Sequence, residues 1–118
     1  MKLGKWERLI LANVLADITR LSATPEQWMP GMDRMASAIA WTLCKNARKG
    51  IVPIDLRRWL GHSPSAADQT QGSRAVRSLM DRGLAIGYAD INVKELSLTS
   101  DGETAARGIA TEIQHITN

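Results

Sequence analysis

Apolar residues recur every three or four positions from Leu3 to Leu21. Trp6, Ile10, Val14, Ile18 and Leu21 form one stripe, and Leu11 and Leu15 form a second beside it. With no Pro, and no Gly after Gly4, the segment predicts a helix apolar around much of its girth, which needs cover on more than one side. Ser22–Gly31 is a connector in which Thr24-Pro25 predicts a single capped turn carrying Trp28 and Met29. Met32–Arg48 is helical again, with Met35, Ile39 and Leu43 expected inward together with Ala36 and Ala40, and Gly50 closes it. Trp28 and Trp41 are expected in the core, an aromatic ligand pocket being the other reading.

Ile51-Val52-Pro53 reads as an edge strand or lead-in, where Pro is tolerated. Ile54–Leu60 is a short helix with Leu56, Trp59 and Leu60 inward and Arg57 and Arg58 outward. Turn formers from Gly61 break it, and the turn is expected to run to about Ala67. The next helix, about 68–82, takes Asp68 or Thr70 as its cap. It sets Ala75, Val76, Leu79 and Met80 on one side and Arg74, Arg77, Ser78 and Asp81 on the other. Gly83 is its terminator. Leu84–Tyr88 and Val93–Leu98 both alternate, and Asp90 and Asn92 lie between them, so the pair predicts a hairpin. Thr99-Ser100-Asp101-Gly102-Glu103 then starts a helix reaching about Thr117, with Ala105, Ile109, Ile113 and Ile116 along one stripe.

The fold class is therefore mainly α with a small β-hairpin. The chain reads as one domain, 1–118, made of N-terminal helices (1–50), a helix-turn-helix and hairpin unit (51–99) and a C-terminal helix (100–118). A single Cys44 excludes an internal disulfide and fits a reducing compartment. With no apolar run long enough to cross a bilayer and no leader pattern, a cytoplasmic location away from membranes is expected. Net charge is +3, but Lys45–Arg82 holds eight Lys/Arg against three acids, while the rest of the chain is slightly acidic. A basic middle of this kind suits a nucleic-acid footprint.

Catalysis finds little support. His62 and His115 stand in no metal-ligand spacing, and no phosphate loop, nucleophile elbow or paired-carboxylate motif occurs. No cofactor, metal or enzymatic activity is expected. Cys44 reads as a small buried hydrophobe, with redox sensing left open.

Three phrases occur in order: Asp55-Leu56-Arg57-Arg58-Trp59-Leu60-Gly61, Ser73-Arg74-Ala75-Val76-Arg77-Ser78-Leu79-Met80-Asp81-Arg82-Gly83-Leu84, and Leu96-Ser97-Leu98-Thr99-Ser100-Asp101-Gly102. Together they resemble winged helix-turn-helix transcription regulators, most closely the MarR type. The resemblance implies sequence-specific binding of double-stranded DNA by a homodimer, and leaves room for a small-molecule effector. The expected DNA contacts are Arg57, Arg58, Ser63, Ser65, Gln69, Thr70, Gln71, Ser73, Arg74, Arg77, Ser78 and Lys94. Arg can read guanine and Gln adenine, while the hydroxyls and remaining bases suit phosphate. The expected dimer surface joins the first and last helices through Trp6, Ile10, Val14, Ile18, Ile109, Ile113 and Ile116. The alternative is a winged helix used for protein–protein contact, which the acidic Asp90 at the hairpin tip favours because phosphate repels a carboxylate.

Overall fold

The computed structural model describes residues 2–89 and 92–117, with side chains as far as Glu112. Six helices run α1 Lys5–Ser22, α2 Pro25–Trp28, α3 Arg34–Arg48, α4 Leu56–Leu60, α5 Ala66–Asp81 and α6 Ser100–Thr117. Three strands, β1 Val52–Pro53, β2 Ala85–Tyr88 and β3 Glu95–Leu98, form an antiparallel sheet in the order β1-β3-β2. The expected hairpin is present, with Ala85 opposite Leu98 and Tyr88 opposite Glu95. Val52–Pro53 joins it as the edge strand opposite Leu96 and Glu95. The hairpin tip, including Asp90, lies outside the described residues, as do the side chains of Ile113, His115 and Ile116. Among the described residues no helix is long and apolar enough to cross a membrane.

α1 is the pillar of the molecule. It packs against α3, α5 and α6 and touches β1, β3 and α4. Ile10, Leu11, Val14 and Leu21 are buried, and Trp6, Leu15 and Ile18 are half-buried. Cover on several sides of its two apolar stripes thus comes from within the same chain, with Trp6, Leu15 and Ile18 left half-buried.

α3 turns a different face inward from the one its large residues suggest. Ala40, Cys44 and Ala47 are buried against α1, while Met35 and Ile39 are 76% and 60% exposed. Small side chains let α3 lie close to a helix that already supplies bulky Ile, Leu and Val. Cys44 and Arg48 fasten the pair, since the Cys44 thiol lies 3.5 Å from the Ala23 carbonyl and Arg48 Nε donates to the Ser22 carbonyl at 3.1 Å. Trp28 and Trp41, expected in the core, are half-buried, and Trp28 packs against the core cluster. The Arg20 guanidinium covers the Trp28 ring at 5.9 Å, and Arg48 covers Trp41 at 5.8 Å.

The start of α6 is fixed by backbone proximity. Thr99 Oγ1 accepts from Gly102 N at 3.0 Å and donates to the Gly83 carbonyl at 2.6 Å. A Cβ on Gly102 would stand 1.8 Å from the Leu84 carbonyl oxygen, so only glycine lets the helix begin this close to β2. Ala106 and Ile109 then bury against the core.

Candidate nucleic-acid interface

α4 and α5 are joined by five residues, 61–65. Asp55 caps α4, its carboxylate accepting from Arg58 N at 3.3 Å. Ser65 caps α5: its hydroxyl accepts from Asp68 N at 3.1 Å, and the Asp68 carboxylate accepts from Ser65 N at 3.0 Å. This reciprocal box places the start of α5 at Ala66, ahead of the expected caps at Asp68 or Thr70, and shortens the turn accordingly. Asp68 serves as the third helical residue of the box. The Ser65 backbone N–H, then the Ser65 hydroxyl, His62 and Lys5, hold its carboxyl below the ordinary range against some desolvation.

The two helices meet at Gly72, where a Cβ would approach Leu56 Cδ1 to 2.8 Å. Gly72 is thus the point of α5 against which Leu56 of α4 packs. α4 is further pinned through Trp59, whose Nε1 donates to Asp17 Oδ2 at 2.8 Å. Asp17 is 2% exposed and also pairs with the Arg58 guanidinium, with Arg20 Nε 3.7 Å away. Arg58, one of the expected DNA contacts, is thus also the ion-pair partner of a buried carboxylate on α1.

With Gly72, Ala75, Val76 and Leu79 turned inward, α5 leaves Gln69, Thr70, Gln71, Ser73, Arg74 and Arg77 exposed. Among the described residues neither Arg74 nor Arg77 has an ion-pair partner, Asp81 included. From Gln69 to Arg77 the exposed positions bear cationic and neutral polar groups, while the acid of the first turn, Asp68, is held in the Ser65 cap. Thr70 Oγ1 donates to the Ala66 carbonyl at 3.1 Å and keeps its lone pairs free to accept. Arg57, Ser63 and Ser65 are exposed at the α4 end, and Lys94 is exposed just before β3.

Ser78 does not belong to this surface. Its hydroxyl donates to Glu7 Oε2 at 2.8 Å, and Glu7 also accepts from Gly4 N and faces Arg82 Nη1 at 3.5 Å. The residue lies on the edge of α5 that abuts α1, about 120° from Gly72 at 100° per residue, a position periodicity leaves ambiguous. The Glu7 cluster was not legible in sequence, because a lone acid in a first turn reads as a solvated dipole partner.

Of the expected dimer residues, Ile10, Val14 and Ile109 are buried within the protomer, and Trp6 and Ile18 are half-buried. Trp6 lines a cleft of about 520 Å³ with Leu9, Trp59, Leu60 and Ile109, and Lys5, Arg8 and His62 stand at its edge. Among the described residues no group of three or more His, Cys, Asp or Glu converges as a metal site. No family model, curated protein or solved structure matches the chain.

Proposed function

We propose that the chain is a winged helix-turn-helix that binds double-stranded DNA in a sequence-specific manner and acts in transcriptional regulation. The reading rests above all on the exposed face of α5, where Thr70, Ser73, Arg74 and Arg77 stand without an acid among them until Asp81. In this reading α4 and the 61–65 turn hold α5 by its N-terminal half, the half that such a motif directs at base edges. Arg74 and Arg77 supply guanidinium forks suited to guanine, and Gln69 and Gln71 supply amides suited to adenine. Arg57, Ser63, Ser65 and Lys94 suit phosphate and sugar contacts. The cleft beside Trp6 and Trp59 is where the reading places a small-molecule effector, since both α1 and α4 wall it.

Selection of bound fragments from random duplex DNA tests the reading, followed by titration across salt concentrations. A recovered consensus and a steep fall of log affinity with log salt are expected. Arg74→Ala should cost about 1–3 kcal/mol of specific binding and relax preference at one base position. Its melting should barely move, because exposed substitutions usually stay within about half a kcal/mol. No consensus and no salt dependence would instead favour a protein-binding winged helix.

A further inference from the structure

α2 and α3 stand outside the unit that carries the α5 face. α3 packs on α1, α2 and β1 and makes no substantial contact with α4 or α5. Because its inward side is built from Ala40, Cys44 and Ala47, its large apolar residues point away from the protein. Met35 and Ile39 are the two most exposed large hydrophobic side chains among the described residues, at 76% and 60%, and Met29 just before the helix is 44% exposed. At 100° per residue, positions 35, 39 and 42 fall within about 60° of one another, and Ala38 borders them. Large apolar side chains gathered on one strip of an exposed helix are the kind of surface that a partner covers.

The charges bordering the patch are arranged by end. Glu26, Asp33 and Arg34 lie at its N-terminal end, a net negative charge, and Lys45 and Lys49 at its C-terminal end, all exposed, while Arg48 turns aside to the Ser22 carbonyl and Trp41. A parallel pairing of two such helices sets two bases against two. An antiparallel pairing sets the acid-bearing end of each against the basic end of the other and also opposes the helix dipoles.

We propose that a second copy of this chain docks here, the two α3 helices packing antiparallel about a two-fold axis between Ala38 and Ile39. Ala38 then faces Ile39 of the other copy and Met35 faces Thr42, so the same strip serves both sides, as an isologous contact requires. A contact carried by so few apolar side chains fits a weak dimer rather than an obligate one. The surface differs from one made by the first and last helices, and it is independent of DNA binding.

Sedimentation velocity of the full chain across the micromolar range tests this, with DNA absent. Concentration-dependent dimerisation is expected, weakened at least about tenfold by the double substitution Met35→Glu with Ile39→Glu. Far-UV circular dichroism checks that this variant is folded. As a second measurement, Ala38→Cys should form an intermolecular disulfide under mild oxidation much faster than Ile86→Cys on the hairpin, since native Cys44 is buried. A wild-type chain that stays monomeric overturns the proposal. So does a folded double variant that dimerises like its parent, or disulfide formation no faster at 38 than at 86.

Discussion

Asp17 is the residue on which the position of α4 depends. A carboxylate 2% exposed is tolerable only when paired, and Asp17 is paired twice, with the Trp59 indole N–H and the Arg58 guanidinium. Asp17→Ala should cost about 2–3 kcal/mol, the upper part of the range for stranding a buried donor, because it also leaves a hole beside Trp59. Asp17→Asn keeps an acceptor for Trp59 and should cost less. Arg58→Ala should cost about 1–2 kcal/mol, because its side chain is 40% exposed and solvent screens the pair. Urea unfolding should give that order; equal stability in all three would remove Asp17 from the account. Asp68 makes the complementary case at the surface. Its folded pKa lies below the ordinary carboxylate value, chiefly through the Ser65 backbone N–H. The unfolded chain therefore binds more protons in that window. The contribution is complete above the ordinary range and disappears as pH falls through the lowered folded value. An NMR titration of the Asp68 carboxyl should show a midpoint below that of an unstructured Asp, and Asp68→Asn should flatten this part of the stability–pH curve. None of these partners of Asp17 was legible in sequence: Asp17 stands on an apolar helix forty-two residues from Trp59.

At the scale of elements, local signals were read well wherever one cue dominated. Alternation and turn residues gave the hairpin, and Thr99 with Gly102 gave the start of α6. Errors arose where two cues competed. Ser65, Asp68 and Thr70 are all capping residues, and Gly72 is a breaker signal inside the helix whose reason, the contact with Leu56, lies on another element. In α3 the apolar pattern has two stripes, 35-39-43 and 36-40-44-47. Periodicity fixes spacing but not phase, so side-chain size pointed to the first while close approach to α1 selected the second. The same limit applies to the α5 surface. The exposed positions of Arg74 and Arg77 followed from helical spacing, but the engagement of Ser78 with Glu7 depends on a helix seventy-one residues away.

The whole molecule constrains what the α5 face can read when two copies act together. α3 and α5 both pack on α1, and neighbouring helix axes lie about 8–10 Å apart, so α3 and α5 are separated by no more than roughly 20 Å. A two-fold contact through α3 adds one further helix spacing between copies. The two α5 axes are then at most roughly 50 Å apart, and closer if α3, α1 and α5 are not in line. That range includes one turn of duplex DNA, about 34–36 Å, whereas two turns, about 68–72 Å, exceed the lateral spacing. Selected duplexes should therefore carry inverted half-sites about 10–10.5 base pairs apart, centre to centre. The folded Met35→Glu, Ile39→Glu variant should still select a single half-site, with weaker affinity and no fixed spacing, because its α5 surface is unchanged. Half-sites two turns apart would remove the α3 contact from the DNA-bound assembly without touching the role of α5. A spacing near 10 base pairs that survives the double substitution would place the contact between copies elsewhere.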